Sequence, residues 1–141
     1  VPPVAGSVAV INSDGTASPP ADAPQAVKDV IAAGNAIIDL PYVWGGGHGS
    51  FESSGYDCSG SVSYALHGAG LLDAPLVSGE LAGFGAAGPG QWVTIYANAG
   101  HVYLAVAGLR FDTSGQRQAG TRWQPLRRSS RGFRVRHPVG L

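Results

Sequence analysis

Cys58 is the only cysteine of the chain and sits in the run Tyr56-Asp57-Cys58-Ser59-Gly60, just ahead of a helical pattern. It therefore forms no internal disulfide. At the first turn of a helix, unpaired backbone N–H groups and the macrodipole favour a thiolate. The same N–H groups can stabilise an oxyanion once the sulfur has attacked a carbonyl. Asp57 can cap that helix, but its charge opposes thiolate formation, so the sulfur needs a cationic partner. Four histidines are available: His48, His67, His101 and His137. His101 is the best placed, following Gly100 at the mouth of a strand that can hold an imidazole while it reaches into a cleft. His48 lies in a glycine loop, and His137 in the tail beside Pro138. His67 is on the cysteine's own helix, about 13 Å along its axis. Cys58 and His101 thus pair as nucleophile and base, the arrangement of acyl transfer. Each alone has a plainer reading, as a buried spectator thiol and a surface histidine at a strand end. A metal site from Cys58, His48 and His101 matches no usual ligand spacing; neither metal nor cofactor is expected.

A third group should orient the imidazole. Asp112 follows His101 by eleven residues, across a hairpin. A two-residue turn at Gly108-Leu109 would set Asp112 opposite Ala105, on the same face as His101 but roughly 13 Å along the strand. That register brings Gln116 opposite His101, and only a bulge or strong twist would join Asp112 to it. On spacing alone the third position stays open.

The elements that must carry these residues follow from periodicity. Val27, Val30, Ile31, Ile37 and Ile38 fall on one helical face, with Asp22 and Pro24 as a start and Pro41 as a stop. A second helix follows Cys58, with Val62, Ala65, Leu66 and Ala69 on one face. Residues 73–90 read as loop. Strands are expected over 92–96, 101–107, 110–113 and 133–136, with Gly108-Leu109 as a hairpin turn. Helices first and an antiparallel sheet afterwards make an α+β fold. Trp44 reads as core and Trp92 as strand packing; Trp123 is open between surface and core. Residues 1–24 hold five of the ten prolines and read as a linker or surface-hugging arm, leaving 25–141 as one domain.

The 141 residues carry 9 Lys+Arg and 9 Asp+Glu, a net charge of zero, which argues against a general nucleic-acid binder. Nothing in this balance suggests an assembly, so a monomer is expected. No run approaches the ~18 apolar residues of a membrane span. The chain starts at Val1 with no basic-then-apolar leader, so any secretion signal is expected to have been removed or never to have been part of this sequence. All eight arginines fall between Arg110 and Arg136. A solvated edge that discourages strand pairing is preferred to a face for an anionic polymer.

Three motifs occur in order: Pro41-Tyr42-Val43-Trp44-Gly45-Gly46, then Asp57-Cys58-Ser59-Gly60, then Gly100-His101-Val102. Together they closely resemble the NlpC family of papain-like cysteine peptidases (the NlpC/p-sixty superfamily) over about residues 25–115. The resemblance implies a papain-like α+β domain with the cysteine helix packed on an antiparallel sheet. It implies hydrolysis of peptidoglycan stem peptides, typically between D-glutamate and the diamino acid, by a secreted or envelope protein of a bacterium. Cys58 matches the nucleophile and His101 the base. Asp112 falls at the third polar position, where the family usually has His, Asn or Gln. Tyr42 matches a tyrosine implied to bind substrate or assist the oxyanion, with a packing aromatic as its plainer reading. Asp57 and Ser59 match positions implied to hold the free amino end of a stem peptide; for Asp57 a helix cap serves equally well. The segment from Gly46 to Tyr56 is longer than usual and is expected to wall or cover the cleft. Two other readings share these residues: an amidase or acyltransferase using the same Cys–His pair, and a noncatalytic wall-binding module of the same fold.

Overall fold

The computed structural model describes residues 1–141. The apolar stripe predicted for the first helix forms α1 (Gln25–Ile37), burying Val27, Val30, Ile31 and Ile37. Pro24 stands at its N-cap position, where the missing N–H costs nothing. The helix stops ahead of Pro41, whose ring disfavours helical geometry in the residue before it. Upstream, β1 (Val10–Ile11) and β2 (Ala17–Ser18) form a short antiparallel hairpin. Asn35 of α1 holds this hairpin through both the N–H and the C=O of Ala17. Ala9, Ala17 and Ala23 are buried in the main core.

The second helix, α2 (Cys58–Gly68), packs against α1 and against the sheet through its central strand. Asp57 caps it, its Oδ1 accepting from Gly60 N at 2.8 Å. Gly60 has a steric reason: a Cβ there would run into the Gly46 carbonyl, so only glycine lets the helix start lie against the glycine loop. A one-turn helix α3 (Ser78–Leu81) lies in the stretch read as loop.

The sheet contains β3 (Ala86–Ala87), β4 (Val93–Ala97), β5 (Val102–Val106), β6 (Leu109–Phe111), β7 (Trp123–Pro125) and β8 (Arg134–His137). Their order is β3-β8-β4-β5-β6-β7 and every pair is antiparallel. The short helix α4 (Gln116–Ala119) connects β6 to β7. The expected α+β architecture is the observed one. Val93, Ile95, Val102, Leu104, Val106 and Phe111 build the core under the helices. On the other face Tyr96 stacks on Tyr103, which also meets Phe133 edge-on. No helix is long and apolar enough to cross a membrane.

Several expectations are corrected. The β5–β6 turn is Ala107-Gly108, with φ +48 and +88, not Gly108-Leu109. Two successive left-handed residues give the turn whose twist matches a two-residue hairpin. Trp44 is not core: it is 88 % exposed. The buried tryptophan is Trp123, 1 % exposed, on a strand that periodicity did not reveal. Its ring packs on Phe111 and its Nε1 donates to Asn35 Oδ1.

The arginine-rich quarter is not simply a solvated edge. Arg122 is fully buried and bonds the carbonyls of Ile37, Leu40 and Tyr56 and the Ser61 hydroxyl. It ties the end of α1 to α2, and burial lowers its pKa to about 10. Arg136 donates to the carbonyls of Phe84 and Gly85. A guanidinium has five donors in a fixed fork, enough to satisfy loop carbonyls that no secondary structure reaches.

Candidate active site

Cys58 opens α2 at the bottom of an open cleft of about 360 Å³. Tyr42, Trp44, His48, Asp57 and Ser59 line it, together with Val77, Ser78, Gly79, Ala99 and Gly100. The Gly60 and Ser61 N–H groups are taken by the Asp57 cap, whereas those of Cys58 and Ser59 have no partner within the chain. Two donors are therefore free beside the sulfur.

His101 stands just before β5, at the end of the β4–β5 connection. Asn98 fixes that connection, its Oδ1 accepting from the N–H groups of Gly100 and His101 at 2.9 Å each. The His101 ring leans on Phe133 and Tyr103. Its Nε2 lies 2.8 Å from Asp112 Oδ1, which leaves Nδ1 as the nitrogen for the sulfur. Asp112 reaches His101 because of the turn correction. Moving the turn back by one residue slides the register by two, which keeps Asp112 on the same face and sets it beside Tyr103 instead of Ala105. His101 then becomes a diagonal neighbour, about 7–8 Å away between backbones, a span that two side chains bridge. No bulge is needed.

Asp112 is 2 % exposed and every acceptor position on it is used. Oδ1 also accepts from Ser114 N at 2.8 Å. Oδ2 accepts from Arg110 Nε at 2.7 Å and from Arg128 at 3.4 Å. The backbone carbonyl takes the Gln124 side-chain amide. Arg110 is itself buried, its guanidinium 3.5 Å over the Tyr103 ring, and one of its nitrogens has no partner. A buried guanidinium with few bonds is costly, and its counterion is this carboxylate.

The electrostatics follow from these contacts. The hydrogen bond to Asp112, then the contact with Cys58, raise the His101 pKa from 6.5 to about 9, against burial. Burial pushes the Cys58 thiol up, but His101 and the Ser78 hydroxyl, 3.7 Å from the sulfur, outweigh it and leave its pKa below the usual value. Burial likewise pushes the Asp112 carboxyl up, while His101, Arg110 and Ser114 N–H pull it below the ordinary carboxylate range. A thiolate–imidazolium pair fixed by a buried carboxylate is equipped for nucleophilic attack on a carbonyl.

Tyr42 is about half exposed on the cleft wall. Burial, Cys58 and Asp57 raise its pKa, so it stays a neutral phenol. Asp57 and Ser59 are in the cleft, but both engage His48 of the glycine loop. Its Nε2 lies 2.9 Å from Ser59 Oγ and 2.8 Å from an Asp57 oxygen. Only His48 brings the long loop into the cleft. Beyond it Phe51 stacks on His67 at 3.7 Å, and Tyr56 donates to the Phe51 carbonyl, so the loop lies along α2 instead of covering the sulfur. His137 bonds the Gly88 carbonyl, away from the site. No group of three or more His, Cys, Asp or Glu side chains is arranged to hold a metal ion. Ser78, Arg110 and Arg128 are contributors that sequence reasoning missed. Ser78 carried no signal, standing in a stretch of small residues.

No family model matches the chain. The peptidoglycan endopeptidase RipB of Mycobacterium tuberculosis is 30 % identical, over 73 % of this chain and 53 % of its own. The chain thus spans about half the length of the relative it matches. The RipB structure superposes with a TM-score of 0.61 at 29 % identity, covering 80 % of this chain and 64 % of that one. The P60 domain of an M. avium subspecies paratuberculosis antigen also gives 0.61 at 29 % identity, over 79 % of this chain and 94 % of that one. RipD of M. tuberculosis, described as a non-catalytic NlpC/p60 domain adapted to peptidoglycan binding, gives 0.58 at 25 % identity over 82 % and 98 %.

Proposed function

The chain belongs to the NlpC/p60 family, and from that premise we propose that it is a peptidoglycan hydrolase. It acts as a cysteine endopeptidase on stem peptides, at the bond between the D-glutamate side-chain carboxyl and the diamino acid, in the envelope or surroundings of a bacterium. The observation that carries this reading is the His101–Asp112 hydrogen bond beside Cys58, whose thiol opens α2 in an open cleft and which, with His101, is shifted toward the ion pair.

The Cys58 thiolate attacks the amide carbon, and the oxyanion that forms is met by the free N–H groups of Cys58 and Ser59. Imidazolium His101 gives its proton to the departing amide nitrogen, leaving a thioester on Cys58. Neutral His101 then takes a proton from water, whose oxygen displaces the sulfur and regenerates the pair. Asp112 stays ionised throughout, held by Arg110, and keeps the His101 ring oriented. Tyr42, Asp57 and Ser59 contact the substrate.

A wall-binding role without chemistry is the second reading, since RipD has this fold and is described as non-catalytic. Against it, Cys58 and His101 are both present and each shifts the other's proton affinity toward the ion pair. The test is digestion of intact peptidoglycan and free stem peptides, with mass spectrometry of the fragments. Fragments split at the D-glutamyl–diamino acid bond and absent with Cys58→Ala are expected. Peptidoglycan pulled down but never cut would move the assignment to the binding module.

A further inference from the structure

The charges of this neutral chain are segregated. Residues 1–109 hold eight carboxylates and one lysine, whereas residues 110–141 hold eight arginines and a single carboxylate, the buried Asp112. Arg110, Arg122 and Arg136 turn their guanidiniums to partners within the fold. Arg117, Arg127, Arg128, Arg131 and Arg134 are exposed, and of these only Arg128 meets a carboxylate. An edge that merely repels other strands would need no cavity, yet two of these arginines line one.

An open cavity of about 600 Å³ lies between α4 and the β7–β8 connection, lined chiefly by Ser114, Gln118, Gln124, Arg127 and Arg128. No carboxylate lines it. Arg128 is fixed in place there. Its Nη1 donates to the Ser114 hydroxyl at 2.8 Å, and its Nη2 to the Ser114 carbonyl at 2.8 Å and Gln124 Oε1 at 2.6 Å. Its side chain is nonetheless 46 % exposed. Asp112 lies 3.4 Å from Arg128 and holds His101 and Arg110 more closely, at 2.8 and 2.7 Å. Most of the Arg128 charge is therefore left for a ligand outside. Arg127 and Gln118 add a second guanidinium and a primary amide, both exposed.

Two guanidinium forks with a carboxamide and a hydroxyl around one cavity match the oxygens of a phosphate. No aromatic side chain lines the cavity, so nucleic-acid bases would find no platform to stack on. The β7–β8 connection also borders the cleft: Arg128 reaches Asp112, and Asn98 of the loop before His101 donates to the Gly132 carbonyl at 3.3 Å. We propose that this cavity is an anion site that takes a phosphate-diester polymer of the bacterial wall, a second, noncatalytic site that holds the protein on its substrate. Exposed Arg131, in the same connection, extends the positive field along such a chain. The choice of a wall polymer rests on the hydrolase reading above; the anion chemistry of the cavity does not.

The experiment measures binding on the Cys58→Ala protein, titrated at low ionic strength with polyglycerol phosphate, with polyglutamate of equal charge and with oligothymidylate. Polyglycerol phosphate should bind at least about fivefold more tightly than either of the others and weaken as salt rises. Arg127→Ala should weaken it at least about tenfold. Gln118→Ala should weaken it about threefold, an effect that a diffuse positive field would not produce, since Gln118 is uncharged. Lys28→Ala, which removes a cation from α1, should leave it unchanged. No binding of polyglycerol phosphate, equal binding of polyglutamate or oligothymidylate, or equal losses with Lys28→Ala and Arg127→Ala would each overturn this inference. The hydrolase reading is tested apart from it. With Cys58 restored, Arg127→Ala should cut free stem peptides at the unaltered rate. Peptides never cut, with polyglycerol phosphate still bound, would remove the hydrolase reading and leave the anion site standing.

Discussion

Replacing Asp112 by Asn tests the electrostatics of the site where they are most concentrated. A His101 midpoint near 9 in place of 6.5 is, at about 1.4 kcal/mol per pH unit, about 3 kcal/mol of preference for imidazolium. The hydrogen bond to Asp112 is its largest cause and Cys58 the next. Asp112→Asn should therefore lower the midpoint by about one to two pH units, and Cys58→Ala in addition should return it close to the ordinary value. Because the folded pKa lies above the unfolded one, this contribution to stability is complete below 6.5 and disappears as pH rises through about 9. The wild-type Tm should fall across that interval, and the variant's should fall less. The variant should also be less stable near neutrality, by about 3–5 kcal/mol, since Arg110 loses its buried counterion. Arg110→Met on top of Asp112→Asn should restore part of that loss. The assay is an NMR titration of the imidazole resonances, with His101 assigned by its absence in His101→Asn. A His101 midpoint unchanged by Asp112→Asn would refute this derivation.

Arg122→Ala should destabilise the fold by about 3–5 kcal/mol, measured by urea unfolding, because it strands buried carbonyls at the end of α1 and the start of α2. Gly60→Ala should cost about 1–3 kcal/mol and slow Cys58 alkylation, since the helix start must back away from Gly46; unchanged stability would contradict that packing. Ser78→Ala should raise the Cys58 pKa while leaving the fold intact, as its hydroxyl contact is one of the causes that lower it. A thiol midpoint that does not move would remove Ser78 from the site.

The sequence made the chemistry more legible than its supports. Cys58 and His101 stood out because residue type, helix start and strand mouth agree, and the α1 stripe at Val27, Val30 and Ile31 fixed one face without ambiguity. The contact between Asp112 and His101 was hidden by one residue of turn assignment. Gly108-Leu109 fits a hairpin by composition, but the fold places left-handed geometry on Ala107 instead, a cost for a non-glycine residue that local propensity does not anticipate. Trp44, read as core, is exposed, and Trp123, left open between surface and core, is buried, for a similar reason. An apolar residue in a short segment gives no periodicity, and Trp123 is buried because α1 presents Asn35 to its ring N–H. The buried arginines were illegible because charge alone suggests solvent, and only tertiary contact shows that Arg110 and Arg122 serve acceptors inside the protein.

The most direct test of the site is the rate of Cys58 alkylation by iodoacetamide across pH, in the wild type and in His101→Ala. The wild-type midpoint should lie below the ordinary thiol value of 9.0, and His101→Ala should raise it, because the largest influence that lowers it is lost while burial still pushes the thiol up. Coincident profiles in the two proteins would mean that Cys58 and His101 do not form an ion pair, and nucleophilic catalysis by this cysteine would lose its basis.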